Sequence, residues 1–247
     1  MKVLICIDDT DNLESRGTGH LASQLGEEIE ANGWGKSSFI TRHQLFVHPD
    51  VPYTSHNSSM CFIADMGERH VDALIDHASR FLEKESATGS DPGLCVVVLD
   101  RLRSPEELIE YGRRAKRQLI TKVEARSLAH RLGIHLSEHG GTGGGIIGAL
   151  AGIGLRLSGN DGRVKGKLQI TGVNGVVSVG EILTQGHVDM VKSMKREVMA
   201  DHELVRLGDK VKAVFLENRS VLLVVPEEGS PDGVRWKTIP RQELNGY

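Results

Sequence analysis

Three carboxylates stand within four residues near the amino terminus, at Asp8, Asp9 and Asp11, where an apolar run ends. Carboxylates this close repel one another, so at least one would take up a proton unless a cation lies among them. Mg²⁺ prefers carboxylate oxygens together with phosphate oxygens and water. The pattern therefore predicts that these three aspartates hold Mg²⁺. The alternative is that they only shape a turn.

The residues after the acidic turn predict a place for phosphate. Gly17 and Thr18 stand where a predicted helix begins, and backbone N–H groups at a helix start favour anions. In α/β architectures, ligands also gather at the carboxyl ends of strands. We therefore expect Thr10, Gly17 and Thr18 to lie beside a bound phosphate.

A second candidate site is the glycine-rich loop at residues 138–145, in which five of the six residues from Gly140 to Gly145 are glycine. Glycines leave backbone N–H groups bare, so that a phosphate can approach them closely. The anion-binding residues are predicted to be Gly141, Thr142, Gly143, Gly144 and Gly145. The alternative is a flexible loop before a tightly packed helix, in which Gly148 and Gly152 are packing glycines.

Several familiar phosphate and metal motifs do not fit the chain. Leu13 stands where a haloacid-dehalogenase-type phosphatase needs Thr or Val, and it also breaks the ligand series of an EF-hand. The G-x-G-x-x-G match at Gly143–Gly148 follows residues 135–141, which read as a poor strand, so a Rossmann fingerprint is not favoured. A P-loop is excluded because Glu30 occupies the position of its first glycine.

Composition and charge limit the kinds of partner. The 247 residues carry a net charge of −3 and only 4% aromatic residues, which argues against a general nucleic-acid coat or a base-stacking surface. Residues 101–131 are an exception, with nine Lys and Arg against four Glu. This basic segment is either a solvated surface or a site that steers an anionic partner.

The three cysteines, Cys6, Cys61 and Cys95, each stand alone in an apolar run, which predicts core residues in a reducing compartment. A zinc ribbon is not expected, because its paired Cys or His spacing is missing. The longest apolar stretch, Ile146–Leu155, is too short for a membrane span of about 20 residues. We therefore predict a cytoplasmic protein that does not enter a membrane.

The first hundred residues predict alternating strands and helices. Apolar periodicity gives strands at Val3–Ile7, Ser37–Val47, Ser58–Asp65 and Leu94–Leu99, and helices at about Gly19–Ala31 and His70–Lys84. The order βαββαβ is that of a split-βαβ, ferredoxin-like unit.

Beyond residue 100 the pattern predicts a helical segment and then mostly strands. One long helix is expected at 104–132, then the glycine loop and a helix at about 146–157. From Lys165 onward strands dominate, with a four-residue hairpin turn at Glu217–Ser220 and one more helix at His187–Asp201. The predicted class is α+β: a ferredoxin-like N-terminal unit, a helical and glycine-loop segment, and a mainly-β C-terminal region. The domains are predicted at 1–160 and 161–247.

Three polar residues near these motifs are further candidates. Glu138 and His139 flank the glycine loop and are candidates for moving protons, although an isolated histidine is more often structural. Asn57 comes just before a predicted strand, where it shapes a turn or contacts the ligand.

Four motifs in this order resemble the catalytic core of the archaeal agmatine–tRNA cytidine ligases, or agmatinylcytidine synthetases. They are IDDTD with the following Gly17, Thr18 and Leu21, VPYTSHN at Val51–Asn57, DPG at Asp91–Gly93, and GGGIIGALAGIG at Gly143–Gly154. The resemblance covers roughly the first 160 residues. The OB domain and the zinc ribbon that hold tRNA in that family are predicted to be absent here.

The resemblance implies a kinase-like core that binds Mg²⁺ and ATP. That family activates the wobble cytidine of an isoleucine tRNA with ATP and replaces its carbonyl oxygen with agmatine. Asp8, Asp9 and Asp11 would serve the metal and the catalysis, and Thr18 would match a threonine that becomes phosphorylated. Asn57 and the glycine loop would belong to the nucleotide site.

Three hypotheses follow. The chain is an Mg-ATP-dependent phosphotransferase or ligase core that acts on RNA or a small molecule, or it is a non-catalytic nucleotide-binding subunit with a regulatory or assembly role. The third hypothesis, an RNA-interaction protein, rests on the basic segment and on the analogy. A homo-oligomer, or a partner subunit that supplies RNA binding, is compatible with the first two.

Overall fold

The structure, a computed structural model, describes residues 1–49, 57–230, 232–244 and 246–247. The chain divides into two compact units, Met1–Ser158 and Gly159–Tyr247. Both units combine helices with β-strands, which confirms the predicted α+β class. Of the predicted VPYTSHN motif, only Asn57 lies within the described residues.

The first unit contains six strands and five helices among its described residues. The strands are β1 Lys2–Asp8, β2 Gly35–Ser37, β3 Thr41–Gln44, β4 Ser58–Met66, β5 Gly93–Val98 and β6 His135–Glu138. The helices are α1 Thr18–Ala31, α2 Val71–Glu85, α3 Pro105–Ala115, α4 Lys122–Leu132 and α5 Ile146–Leu157.

These strands form an antiparallel sheet in the order β6-β5-β1-β4-β3, and β2 pairs with the other end of β4. Strand β1 is apolar at nearly every position because both faces of the sheet are covered. Val3, Ile5 and Ile7 face one hydrophobic core, whereas Leu4 and Cys6 face the other.

The two cores use different helices. The first core packs α1 and α2 against the sheet, through residues such as Leu25 and Leu74. The second core packs α3, α4 and α5, through residues such as Leu108 and Leu150. In register across the sheet, Cys6 lies beside Cys61 on β4 and Cys95 on β5, and all three free thiols are fully buried.

The predicted long helix at 104–132 is wrong, because the chain forms two helices separated by residues 116–121. Thr121 caps the second helix: its hydroxyl accepts the N–H of Glu124, and the Glu124 carboxylate accepts the N–H of Thr121 in return. This capping box fixes a helix start where apolar periodicity had predicted continuity.

Two further predictions in this unit need correction. The strand expected at Ser37–Val47 is divided into β2 and β3, and neither includes Val47. The segment interpreted as a poor strand, 135–141, contains β6, which pairs with β5 at the edge of the sheet. A strand of four residues with polar ends shows little hydrophobic periodicity. Its conformation therefore depends on its pairing with the neighbouring strand, which the sequence pattern does not reveal.

The second unit contains seven short strands and one helix among its described residues. They are β7 Arg163–Val164, β8 Val176–Ser178, α6 Val179–Gln185, β9 Met190–Ser193, β10 Leu204–Arg206, β11 Val214–Leu216, β12 Arg219–Pro226 and β13 Trp236–Thr238. Their order is β7-β11-β12-β13-β10-β8, and β9 runs parallel to β12.

The second unit corrects two predictions. The helix expected at His187–Asp201 is wrong, because this segment contains β9, and the helix of the region is α6. The hairpin between β11 and β12 exists, but its turn has two residues, Glu217 and Asn218. Both have positive φ (52° and 60°), as a type I′ turn requires. Among the described helices of both units, none is long and apolar enough to cross a bilayer.

Candidate functional site

A cavity of about 510 Å³ opens in the first unit where the acidic turn, the start of α1 and the glycine loop meet. The residues that line it are Asp8, Asp9, Asp11, Gly17, Thr18, Gly19, Arg42, Leu45, Phe46, Asn57, Ser58, Met60, Asp91, Ala115, Gln118, Leu119, Ile120, Thr142, Gly144, Gly145, Ile147 and Gly148. Two segments predicted separately from the sequence thus share one cavity.

At the acidic end of this cavity, where the acidic turn lies, the surroundings disfavour the ionised form of the carboxyl groups. Asp8 is only 7% exposed, and burial, followed by the charge of Asp9, raises the pKa of its carboxyl group to about 8. Burial also raises the pKa of Asp9 to about 6, with further contributions from the charges of Asp91 and Asp11. A cation placed among these groups would favour their ionised forms.

The acidic turn is shaped by local backbone and side-chain contacts. Asp9 has a φ of 51°, a left-handed conformation that Asp tolerates better than most residues. Thr18 is 5% exposed, and its hydroxyl donates to Asp11 Oδ1 at 3.3 Å and accepts the N–H of Thr10 at 3.5 Å. The Thr18 hydroxyl, which the resemblance implies becomes phosphorylated, therefore contacts Asp11, one of the predicted metal ligands.

Two helices, α1 and α5, begin at the cavity. Among the described residues, the backbone N–H groups of Thr18, Gly19 and Gly144 make no hydrogen bond, and all three residues line the cavity. The first N–H groups of a helix have no partner within it, and the helix dipole adds positive potential there. These donors suit an anion.

Glycine is required where the loop meets the ends of β1 and β5. A side chain at Gly93 would collide with the backbone of Gly145, and one at Gly145 would lie 2.7 Å from the Gly93 nitrogen and 2.9 Å from the Asp8 carbonyl oxygen. Gly148 was predicted to be a packing glycine. A side chain there would collide with the Asp8 carboxylate, so Gly148 makes room for the acidic turn.

Apolar side chains form another part of the cavity wall. They are Leu45, Phe46, Met60, Leu119, Ile120 and Ile147. The break between α3 and α4 places residues 118–120 in this wall.

Asn57 supports this wall rather than projecting as a free amide. Its side-chain Nδ2 donates to the Phe46 carbonyl at 2.7 Å, and its own carbonyl accepts the N–H of Leu45 at 2.8 Å. Asn57 therefore lines the cavity as predicted and also holds Phe46 in place.

Most predicted site residues line the cavity, but three do not. Thr10, Gly141 and Gly143 are absent from the lining among the described residues. Thr10 is 1% exposed and its hydroxyl has no hydrogen-bond partner within the described part of the chain. Gly143 lies against Glu138, so that a side chain there would collide with that carboxylate. These three residues are therefore neighbours of lining residues in the chain and do not line the cavity themselves.

Asp91 is the main residue that sequence reasoning left out of the site. It lines the cavity, its carboxylate oxygen Oδ1 accepts the N–H of Thr142 at 2.6 Å, and its carbonyl accepts the N–H of Gly145 at 3.0 Å. The DPG motif at Asp91–Gly93 was the signal for it.

The acidic end fits a divalent cation only in part. Within the described residues, no group of three or more His, Cys, Asp or Glu side chains is arranged to hold a metal by itself. Mg²⁺ is usually bound through one or two carboxylates together with substrate phosphates and water, rather than by an all-protein cage. The buried carboxylates with raised pKa values therefore suit a cation that arrives with a phosphate.

His139 and Glu138 make contacts outside the cavity lining. His139 Nε2 bonds to the Ser137 hydroxyl at 2.7 Å, its Nδ1 lies 3.6 Å from Glu83 Oε1, and burial lowers its pKa. Glu138 pairs with Arg126. Neither residue lines the cavity, which agrees with the structural interpretation of His139.

Much of the charge of the basic segment at 101–131 is paired. Arg101 bonds to Glu68 at 2.6 Å, Arg114 to Glu124 at 2.7 Å and Arg131 to Glu107 at 2.6 Å. With Arg126, four of its nine basic side chains form ion pairs with residues that the structure describes. Exposed pairs of this kind contribute little to stability, but they reduce the charge available to an anionic partner.

Comparison with solved structures finds that this chain is similar to part of a tRNA-modifying enzyme. Apo TiaS, a tRNA agmatidine synthetase, matches with a TM-score of 0.54 and 25% identity over 62% of this chain and 35% of TiaS. TiaS in complex with tRNA and ATP matches with a TM-score of 0.55 and 26% identity, over 62% and 36%. The resemblance stated from the sequence is confirmed.

A curated sequence relative is also found. The uncharacterized protein MJ0921 of Methanocaldococcus jannaschii is 30% identical over 154 residues, which are 62% of this chain and 50% of that protein. No family model matches the chain. The chain thus spans about half the length of this curated relative and about a third of the length of TiaS.

Proposed function

We propose that the first unit is an Mg-ATP-dependent phosphotransferase or ligase core related to tRNA cytidine agmatinylation. One observation carries the proposal: the acidic turn, the starts of α1 and α5, and the glycine loop line the same cavity. Carboxylates for a cation and bare N–H groups for phosphate are the two features that nucleotide chemistry needs together.

The architecture supports this interpretation. Strands β1, β3, β4 and β5 with helices α1 and α2 follow the order of a split-βαβ unit, and their sheet order is β5-β1-β4-β3. We interpret this part as ferredoxin-like. We assign the nucleotide-binding core to residues 1–160 and a smaller C-terminal α+β region to residues 161–247.

The lining of the cavity suggests how a nucleotide would bind. The phosphates would lie near the aspartates, within reach of the N–H groups of Thr18, Gly19 and Gly144. The base would contact the apolar part of the wall, which includes Phe46 and Leu119, because ligand pockets combine apolar walls with a few placed polar groups.

Asp8, Asp9 and Asp11 are the residues that would hold Mg²⁺, which when bound would offset the negative charge of the phosphates. Thr18 would accept a phosphoryl group, as the resemblance implies. Its hydroxyl already donates a hydrogen bond to Asp11, so that carboxylate can hold the hydroxyl proton as phosphate approaches.

The acceptor is proposed as RNA or a small molecule. The similar structures include TiaS bound to tRNA with ATP, and TiaS bound to tRNA with an ATP analogue and agmatine. RNA binding through a partner subunit or a second copy of the chain is part of the proposal, since the similar structures include complexes with tRNA.

The decisive experiment is a thermal-shift titration of the full chain with ATP, with and without Mg²⁺. Ligand at 100 times its Kd stabilises a protein by about 2.7 kcal/mol. At this chain length that corresponds to a rise in Tm of roughly 5–10 °C. The rise should require Mg²⁺, and Asp8→Asn should abolish it without changing the far-UV CD spectrum.

Asp72→Asn is the matched control, because Asp72 is an exposed carboxylate on α2 outside the cavity. It should keep the full response. An Asp8→Asn protein that binds ATP as tightly as the wild type would contradict the site. Transfer of the γ-phosphate to Thr18, absent in Thr18→Val, would distinguish the enzyme from a non-catalytic nucleotide-binding subunit.

A further inference from the structure

A connecting segment, residues 87–93, touches both halves of the proposed phosphate site. At its start, the N–H of Ala87 donates to the Thr10 carbonyl at 3.0 Å, and Asn12 Nδ2 donates to the Thr88 carbonyl at 3.3 Å. Further along, the Asp91 carbonyl accepts the N–H of Gly145 at 3.0 Å. The segment therefore joins the acidic turn to the glycine loop.

Asp91 makes the most specific of these contacts. Its Oδ1 accepts the N–H of Thr142 at 2.6 Å, and its Oδ2 accepts the Thr142 hydroxyl. The two residues are 51 positions apart in the chain, so this is not a local turn. On the other side, Lys122 Nζ donates to the Thr142 carbonyl. All three polar groups of Thr142 are thus held by side chains from outside the loop.

The glycine loop needs such an anchor. Glycines lose more conformational freedom on ordering than any other residue, and Gly140, Gly141 and Gly143 all have positive φ (150°, 56° and 74°). Thr142 is the only residue from Gly140 to Gly145 with a side chain. Fixing Thr142 therefore fixes the loop, including the N–H of Gly144 at the cavity wall.

We propose that Asp91 is a positioning residue for the nucleotide phosphates: its carboxylate fixes Thr142, which keeps the N–H groups of the glycine loop directed at the cavity. This inference rests on the proposed function. Asp91 acts through Thr142, because both of its carboxylate oxygens accept hydrogen bonds from that residue. Metal binding through the remaining lone pairs is the alternative that the substitutions below test.

Two substitutions distinguish positioning from metal binding. Asp91→Asn keeps both contacts, since the amide oxygen can accept the Thr142 N–H and the amide nitrogen can donate to the Thr142 hydroxyl. Asp91→Ala removes both. We expect Asp91→Ala to weaken Mg-ATP binding by about 10- to 100-fold, the factor that corresponds to a hydrogen bond to a charged group. Asp91→Asn should stay within about threefold of the wild type, since neutral amide hydrogen bonds replace the charged ones.

The affinity measurement is isothermal titration calorimetry of the full chain with Mg-ATP, with Asp72→Asn as the control. A metal ligand would behave differently, because both Asp91 variants would then lose affinity equally. Unchanged affinity in Asp91→Ala would also overturn the proposal.

Hydrogen–deuterium exchange of the ligand-free chain provides a readout that does not depend on ATP. In Asp91→Ala, the amide of Thr142 should exchange at least about tenfold faster, because its charge-assisted hydrogen bond to Asp91 is lost. Asp91→Asn should match the wild type, and Thr142→Ser, which keeps both donors, should match it too. If Asp91→Ala does not fold, Thr142→Val replaces it as the test, because it removes only the hydroxyl contact and should give an intermediate increase.

The two proposals fail in different ways. If the wild-type chain does not bind Mg-ATP, the proposed function is wrong. Hydrogen exchange would still show whether Asp91 anchors the glycine loop. Exchange in Asp91→Ala that equals the wild type removes the anchor, whatever the chain binds.

Discussion

At the scale of single residues, the contact between Asp8 and Gly148 determines what both positions can be. The carboxylate occupies the space that a side chain at position 148 would need, and it is buried there with its pKa raised to about 8. A buried carboxylate without a cation is costly. This contact between Asp8 and Gly148 lies in the first turn of α5, the helix that follows the glycine loop.

Gly148→Ala is expected to destabilise the chain by about 1–3 kcal/mol, the usual cost of overpacking a core position. It should also weaken Mg-ATP binding, because Asp8 must move. Urea unfolding measures the first effect and calorimetry the second.

Gly26→Ala is the control. Gly26 is also buried within a helix, but a side chain there would make ordinary contacts at 3.4 Å with Ser37. It should be neutral or slightly stabilising, since Ala favours helix by up to about 1 kcal/mol over Gly. Equal losses in the two variants would contradict the role of Gly148.

Residue type alone predicted much of the site. The clustered aspartates, Thr18 and the last glycines of the loop all line the cavity. Their chemistry was the signal, because carboxylates suit a cation and bare glycine N–H groups suit phosphate. The role of Asp91 was not predictable in this way. It depends on Thr142, 51 positions away, and only the pairing of β5 with β6 brings the two together.

At the scale of secondary-structure elements, the break between α3 and α4 builds one wall of the cavity. Apolar spacing is continuous across it, so periodicity predicted a single helix. The S/T-x-x-E pattern at Thr121–Glu124 was the sequence signal for a new helix start. The same pattern at Ser178–Glu181 marks α6, the helix that the sequence analysis missed.

Thr121→Ala is expected to cost about 1 kcal/mol, the typical value of a lost helix cap. At this length the Tm should fall by roughly 2–4 °C. Because residues 118–120 line the cavity, Mg-ATP binding should weaken as well.

Ser104→Ala is the matched comparison. Ser104 occupies the equivalent position before α3, but its side chain makes no capping hydrogen bond. Its effect on Tm should be smaller and its effect on binding negligible. A larger loss from Ser104→Ala than from Thr121→Ala would contradict the capping argument.

The other wrong predictions of secondary structure have a common cause. Residues 187–201 contain scattered apolar positions that fit a helix, yet β9 forms there because Met190–Ser193 pairs in parallel with β12. Strand preference depends on neighbours more than helix preference does. Single-sequence patterns therefore located the long buried elements, such as β1 and α2, better than the short strands of the second unit.

At the scale of the whole molecule, charge limits how strongly the chain can hold RNA. The net charge is −3, and within the described part of the chain ion pairs occupy four of the nine basic side chains at 101–131. In this segment Arg103, Arg113 and Arg117 form no ion pair within the described residues. These three arginines are the candidates of the basic segment for phosphate contacts.

We expect RNA binding by this chain alone to be weak and salt-dependent. Three phosphate contacts give a slope of log K against log salt of about −2 to −3. Fluorescence anisotropy with a labelled tRNA across a salt series measures the slope. Arg113→Ala should reduce its magnitude by about 1, whereas Arg131→Ala, which removes an arginine paired with Glu107, should change it less. A tight complex that ignores salt would contradict this expectation.

The row of cysteines across β4, β1 and β5 can report on local opening of the sheet. Burial raises the pKa of the Cys6 and Cys95 thiols, so little thiolate is present while the sheet is closed. A thiol-modifying reagent can react only when this part of the sheet opens, and the strand that carries Cys6 ends in the acidic turn. The rate of alkylation would therefore follow opening at the cavity, and a ligand that bridges the acidic turn and the glycine loop would slow it without any engineered label.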